Sequence, residues 1–152
     1  MEQETQSVEI YVGGALVYTT REGPVTFEDE AVRSANDAMR YLGSMQAMPQ
    51  EVFAVISLNG AHKPIKTRWI TVGLLDTGPV HPREVFADAL SDRAAAIIVA
   101  HNHPSGTLEP SAEDVAVTSR LQKAGEILGI RVLDHVIVTS SGFVSLKQLG
   151  KM

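Results

Sequence analysis

Short apolar runs alternate along this chain with amphipathic stretches, which is the pattern of a domain that mixes strands and helices. EVFAVISL (51–58) and AAAIIVA (94–100) are almost wholly apolar and predict buried strands. KPIKTRWITVGLL (63–75) alternates between its two faces and predicts a partner strand, reached through a hairpin-type turn at Asn59-Gly60. The remaining predicted strands or hairpins lie at 8–20, 130–138 and 142–146.

Three amphipathic stretches predict helices. The first begins after Ser34, a hydroxyl N-cap with an acid three residues later at Asp37, and closes at Gly43. The second is REVFADAL (83–90), and the third begins after Pro110-Ser111 and ends at Gly129. Ala35, Ala38, Met39 and Leu42 follow at helical spacing in the first helix, and Val117, Leu121, Ala124 and Leu128 line one side of the third. In the second helix, Val85, Phe86 and Leu90 are available for burial.

The length of 152 residues suits one α/β domain, which we expect over residues 8–152 after a disordered polar tail at residues 1–7. No apolar run approaches the roughly 20 residues that cross a bilayer, so we expect no membrane segment. The sequence contains no cysteine, which restricts metal ligands to His, Asp and Glu, and a cytoplasmic location is the default expectation.

The formal net charge is −5, and the thirteen Lys and Arg residues are scattered, with no run denser than KTR (66–68). Proteins that bind nucleic acid usually cluster their basic residues on one face. Nucleic acid is therefore an unfavoured partner.

Two histidines separated by one residue end the apolar strand at 94–100. Side chains two apart on an extended chain point to the same face, so His101 and His103 can reach one point. Asp114, in the first turn of the next helix, is the obvious candidate for a third ligand. Ser111 and Asp114 also form a good helix N-terminus by themselves. From these residues alone, a metal site and a capped helix beside two strand-end histidines both remain open.

Taken together, His101-x-His103-Pro104-x(6)-Ser111-x(2)-Asp114 resembles the JAMM motif of the JAB/MPN metalloproteases, with Glu51 at the position of the upstream glutamate. The blocks VHPREVF (80–86), AAAIIVAHNHPSG (94–106), PSAED (110–114) and LGIRVLDHVIV (128–138) are similar to the RadC-like branch. The resemblance covers about Ser34 to Leu146. It implies an MPN/JAB-like (cytidine-deaminase-like) fold, in which a mixed β-sheet is packed between helices.

The resemblance also implies a function, a zinc-dependent hydrolase that cleaves a peptide or isopeptide bond in a protein or peptide substrate. His101, His103 and Asp114 would hold one Zn²⁺ per chain. Glu51 would be the general base, and Ser111 would stabilise the oxyanion. The alternatives are a non-catalytic MPN-type interaction module and a nucleic-acid-associated RadC-like factor.

The chain departs from the family pattern in two places. Asn59-Gly60-Ala61 stands where an Asp-Thr turn is common, and this position lies outside the motif. Longer RadC-like proteins carry a helix-hairpin-helix region ahead of this domain, and we expect none within these 152 residues. Of the other histidines, His81 is expected to be structural, because it stands at a helix start beside prolines. His135, after Asp134, is expected to support the site or the packing.

Overall fold

The computed structural model describes the backbone of residues 7–12, 15–21, 30–72 and 80–152, and the side chains of residues 30–70 and 80–152. These residues form β1 (Ser7–Val12), β2 (Ala15–Arg21), α1 (Ala35–Leu42), β3 (Val52–Leu58), β4 (Pro64–Val72), α2 (Pro82–Ser91), β5 (Ala96–Asn102), α3 (Ala112–Leu128), β6 (Arg131–Thr139) and β7 (Gly142–Ser145). A 3₁₀ helix over Gly43–Ala47 follows α1.

The strands form one mixed sheet in the order β2-β1-β4-β3-β5-β6-β7. The β1–β4 and β5–β6 pairs are parallel, and the other neighbouring pairs are antiparallel. In the central antiparallel pair, Phe53 of β3 lies opposite His101 of β5. This register brings the start of β3 beside the end of β5, where the predicted site residues converge.

Helices cover both faces of the sheet. Alternate residues of β3 and β5, such as Ala54 and Ile98, pack with α1 on one face. The intervening residues, such as Val55 and Val99, pack with α2 and α3 on the other face. All seven residues of β3 and all seven of β5 are buried, because each strand is covered on both sides. The predicted fold class, a mixed sheet packed between helices, is confirmed.

The predicted ends of the strands are close to the observed ones. Residues 8–20 form the β1–β2 hairpin, apart from 13–14, which lie outside the described residues. The strand predicted at 63–75 is β4, and its last three positions lie outside the described residues. Ser7, placed in the predicted tail, is the first residue of β1, while residues 1–6 also lie outside the described part.

Two residues of these apolar helix patterns are exposed. Leu90 is 51% exposed and Leu128 is 43% exposed. The buried face of α2 runs through Val85, Phe86 and Ala89, and that of α3 includes a small residue, Gly125. Leu90 and Leu128 fall outside these buried faces.

Gly43 closes α1 as predicted, because the helix ends at Leu42 with Gly43 as its C-cap, but Gly43 does not adopt the left-handed conformation. Its backbone is right-handed, with φ −57° and ψ −35°, and the chain continues as the 3₁₀ helix. Gly129 does end α3, in the left-handed conformation that favours glycine, with φ 73°. Among the described residues, no helix is both long and apolar enough to cross a membrane.

Gly125 generates the first prediction. A Cβ at this position would lie 2.3 Å from the carbonyl oxygen of Ile130 and 3.4 Å from Cζ of Phe86. The Ile130 backbone cannot easily retreat, because its N–H donates to the Gly125 carbonyl oxygen at 2.9 Å. Gly125→Ala should therefore lower the free energy of unfolding by about 1–3 kcal/mol, measured by urea denaturation.

Gly43→Ala is the matched control, because no atom lies within 4 Å of its Cβ position and its φ suits alanine. We expect this control to be neutral or slightly stabilising. Equal stability of the two variants would contradict the close approach of α3 to the start of β6.

Candidate metal centre

The end of β5 brings two imidazoles together. His101 is the next-to-last residue of β5, and His103 directly follows the strand, where its N–H still donates to the Val138 carbonyl oxygen of β6 at 2.9 Å. The extended backbone therefore continues through His103, as the two-residue spacing requires. The Nε2 atoms of His101 and His103 lie 2.9 Å apart.

Asp114 approaches the same point from α3. Its Oδ1 lies 3.2 Å from Nε2 of His101, and its Oδ2 lies 3.3 Å from Nε2 of His103. A reciprocal capping box fixes this carboxylate, because Ser111 Oγ accepts from the Asp114 N–H at 3.1 Å and Asp114 Oδ2 accepts from the Ser111 N–H at 2.8 Å. The helix cap and the contact with the histidines are thus made by one side chain.

Glu51 lies at the rim of this cluster. It precedes β3, its side chain is exposed, and its ligand atom and those of His101 and His103 all lie within 4.8 Å of one another. The structure therefore brings together the four predicted residues Glu51, His101, His103 and Asp114, and Ser111 stands in the cap that holds Asp114. Both carboxylates are near enough to be considered as ligands, but Asp114 makes the closer contacts described above.

The donor set fits a zinc ion. Nδ1 of His101 is engaged by His135 at 2.7 Å, and Nδ1 of His103 by the Thr107 carbonyl oxygen at 2.6 Å, so both Nε2 atoms are left to the site. Ligands of a tetrahedral zinc ion at about 2.0–2.1 Å are separated by roughly 3.3–3.4 Å. Each oxygen of Asp114 lies close to that separation from one of the two imidazole nitrogens. The imidazole pair would need to open by a few tenths of an ångström.

The charges at the site are strongly coupled. Burial acts to raise the pKa of Asp114, but contacts with the two imidazoles hold it well below its ordinary value, so the carboxylate is ionised. The hydrogen bond with Asp114 raises the pKa of His103. A histidine ligand must be neutral, so metal binding would compete with protonation of His103.

Asn102 is a site residue that the sequence pattern did not reveal. It lies between the two histidines and is directed to the other face of β5. Its Oδ1 accepts from the Val52 N–H at 2.6 Å, and its Nδ2 donates to the Gln50 carbonyl oxygen at 2.9 Å. These bonds bind the chain on both sides of Glu51. A buried amide between two histidines is the signal that could have found it.

His135 and Thr118 are further residues behind the site. His135 Nε2 contacts His101, and its Nδ1 lies 2.6 Å from Thr118 Oγ1 of α3. Burial lowers the pKa of His135 to about 3, so this histidine is neutral. The Asp134 carboxylate does not contact the His135 ring, because it accepts from Ser145 Oγ, from the N–H of Lys147 and from the backbone N–H of His135. Of the two expected roles, support of the site or packing, the ring of His135 has the first through its contact with His101, and Asp134 holds the backbone of His135 and the residues after β7.

Two other features of the loops are structural. His81 caps α2, because its Nδ1 accepts from the Arg83 N–H at 3.2 Å. Gly106 has a positive φ of 86° in the loop after His103, and its N–H donates to the His103 carbonyl oxygen at 3.0 Å. This turn directs the chain from β5 toward the N-terminus of α3.

Comparison with known families is consistent with this geometry. The family described as "RadC-like JAB domain" matches residues 32–151. A UPF0758 protein of Methanospirillum hungatei is 61% identical over 101 residues, 66% of this chain and 45% of the relative. UPF0758 proteins of Clostridium botulinum and Caldanaerobacter subterraneus are 46% and 47% identical, over 80% and 83% of this chain and 54% and 52% of the relatives. The chain spans about half the length of these relatives.

Asn102 generates a prediction of its own. Asn102→Ala leaves the buried Val52 N–H without its acceptor, which typically costs about 1–3 kcal/mol. We expect the variant to lose stability by this amount in urea denaturation. The zinc content after reconstitution should be unchanged, because the imidazoles lie on the other face of the strand.

Asn59→Ala is the control, because Asn59 Oδ1 accepts from the N–H groups of Ala61 and Lys63 in an exposed turn where water can replace it. Asn59→Ala should lower the free energy of unfolding less than Asn102→Ala does. If Asn102→Ala were no less stable than this control, Asn102 would not anchor the Glu51 segment.

Proposed function

The chain belongs to the RadC-like JAB domain family, and from its site we propose that it is a zinc-dependent hydrolase of peptide or isopeptide bonds. The observation that carries the proposal is the convergence of His101 Nε2, His103 Nε2 and the Asp114 carboxylate on one point. Two imidazoles and one carboxylate suit a borderline-soft ion that keeps an open position.

His101, His103 and Asp114 would hold the zinc ion. When bound, zinc can bring the pKa of a water to about 7 and can polarise a carbonyl oxygen. The protein contributes rigidity to this arrangement, because the imidazoles stand at the end of a buried strand and Asp114 stands in a capped helix turn.

Glu51 is proposed to act as the general base. Its carboxylate lies at the rim of the cluster, within 4.8 Å of the imidazole nitrogens, which leaves it able to accept a proton and pass it to a leaving amine. Asn102 holds the backbone on both sides of Glu51 and so fixes where this carboxylate can reach.

Ser111 is proposed to stabilise the oxyanion. Its Oγ lone pair accepts from the Asp114 N–H, so its own proton remains available for a substrate oxygen. This serine would serve the helix cap and the reaction at the same time.

The two alternatives find less support. A non-catalytic module has no need of metal ligands, whereas the three proposed ligands of this chain lie close together. A nucleic-acid-associated factor would ordinarily place cations beside the metal, but the charged residues of the loop HNHPSGTLEPSAED (101–114) other than histidine are acidic. The substrate is proposed to be a protein or peptide, and the proposed location is cytoplasmic.

Glu51→Gln tests the catalytic role. The amide cannot accept a proton, so hydrolysis should fall by a factor of roughly 100 or more. Zinc content and thermal stability should stay close to those of the parent, because Glu51 is not proposed as a ligand. The measurement uses a panel of peptide and isopeptide substrates, with zinc determined for each protein.

Glu109→Gln makes the same change of charge on the exposed loop after His103, and it should keep full activity. Loss of zinc from Glu51→Gln would make Glu51 a ligand. Full activity would place the proton acceptor elsewhere. If the parent cleaved nothing in the panel, the interaction-module alternative would be favoured.

Ser111→Ala separates the capping role from the catalytic one. Loss of the cap should cost about 1 kcal/mol in stability. Loss of an oxyanion donor should reduce turnover on the order of 100-fold while zinc remains bound.

Ser34→Ala removes the equivalent cap of α1, where Ser34 Oγ accepts from the Asp37 N–H at the same distance of 3.1 Å. This control should lose similar stability and no turnover. If the two variants lost equal activity, the effect of Ser111 would be structural alone.

A further inference from the structure

We infer that Thr118 and His135 are positioning residues that fix the tautomer of His101, so that its Nε2 lone pair is directed at the metal. This inference rests on the metal-binding part of the proposed function and is independent of the reaction catalysed. It concerns which ring nitrogens carry hydrogen in a buried chain of contacts behind the site.

The chain of contacts begins at a backbone carbonyl. Thr118 Oγ1 lies 2.7 Å from the Asp114 carbonyl oxygen, one helical turn earlier in α3. A carbonyl oxygen can only accept, so the single hydroxyl proton of Thr118 is committed to it. A threonine in a helix commonly donates its hydroxyl proton to the carbonyl oxygen four residues earlier. Here this bond leaves Thr118 Oγ1 able only to accept a further hydrogen bond.

His135 is the second member. Its Nδ1 lies 2.6 Å from Thr118 Oγ1, whose proton is already used. Nδ1 of His135 must therefore carry the hydrogen and donate it to the Thr118 oxygen. His135 is 1% exposed, and the neighbouring Asp134 carboxylate is turned toward Ser145 and Lys147, so a neutral ring is favoured. A neutral ring with hydrogen on Nδ1 has a lone pair on Nε2.

His101 is the third member. Its Nδ1 lies 2.7 Å from the lone pair on His135 Nε2, so Nδ1 of His101 carries the hydrogen. Its Nε2 faces His103 and Asp114, and with Nδ1 committed to His135 it is the nitrogen that would supply a lone pair to the metal. The chain starts at the Asp114 backbone and returns to the Asp114 carboxylate, so one residue of α3 both sets the tautomer and contributes a ligand.

The ring planes are held as well as the hydrogens. Phe53 of β3 stacks on His101 at a centroid distance of 6.3 Å and meets His135 edge-on at 5.8 Å. His101 and His135 themselves meet at an interplanar angle of 62°. With both rings confined, a change of tautomer cannot be absorbed by turning a ring toward water.

The wild-type protein gives the first test. Long-range proton–nitrogen NMR correlations on metal-free protein distinguish the two neutral tautomers of each histidine. We expect hydrogen on Nδ1 for both His101 and His135. Hydrogen on Nε2 of His101 with none on Nδ1 would overturn the inference, and this result needs no variant.

The second test removes the hydroxyl. Thr118→Val keeps the shape of the side chain but leaves His135 Nδ1 without an acceptor, so His135 and His101 should shift toward hydrogen on Nε2. Affinity for Zn²⁺, measured by competition with a chelator, should fall about 10–100-fold, as is usual when the partner of a metal-bound histidine is lost. Thr118→Ser retains the oxygen and should restore both the tautomer and the affinity.

Thr67→Val is the matched control. Thr67 is also buried, at 3% exposed, and its Oγ1 has no hydrogen-bond partner among the described residues. This control should keep the tautomers and the zinc affinity of the parent. If Thr118→Val kept the parent's tautomers and zinc affinity as Thr67→Val does, Thr118 would have only a packing role.

The outcomes separate this inference from the proposed function. A parent that binds zinc with the expected tautomers but hydrolyses nothing would retain the inference and lose the hydrolase. A parent that hydrolyses its substrate with His101 in the other tautomer would support the hydrolase and overturn the inference.

Discussion

Two imidazole nitrogens that face each other 2.9 Å apart impose the constraint on which the rest of this structure depends. With Nδ1 of each ring engaged elsewhere, both Nε2 lone pairs are directed into the same small space. Two lone pairs at this distance repel unless a proton or a metal ion lies between them. Each surrounding feature serves to hold the rings in place: the buried β5 strand, the capped first turn of α3, and the hydrogen-bond chain behind His101.

The tripeptide His101-Asn102-His103 shows how one strand can serve two tasks. Its outer residues present imidazoles to the site, while Asn102, on the opposite face, binds the backbone of Gln50 and Val52. The strand end thus holds the metal ligands and also the segment that carries Glu51. The bonds from the Asn102 side chain to this backbone therefore link the stability of the fold to the position of Glu51. The metal ligands themselves do not depend on these bonds.

Much of the site was predictable because it depends on local spacing. A separation of two residues on a strand placed His101 and His103 together, and a separation of three at a helix start placed Ser111 against Asp114. Glu51 carried no local signal and was found through the family resemblance. Asn102, Thr118 and His135 depend on which strand lies beside which, and in what register, including a register shift at Ile97/Ile98 between β5 and β6. The exposure of Leu90 and Leu128 could not be predicted, because the apolar pattern of a helix does not by itself fix which of its flanks faces the sheet.

The most direct test of the account is a crystal structure of the zinc-reconstituted protein with anomalous diffraction recorded on both sides of the zinc absorption edge. We predict one zinc ion per chain, bound by Nε2 of His101, Nε2 of His103 and the carboxylate of Asp114, with Glu51 outside the ligand set. Zinc bound through Glu51 in place of Asp114, or no zinc peak between the two imidazoles, would contradict it.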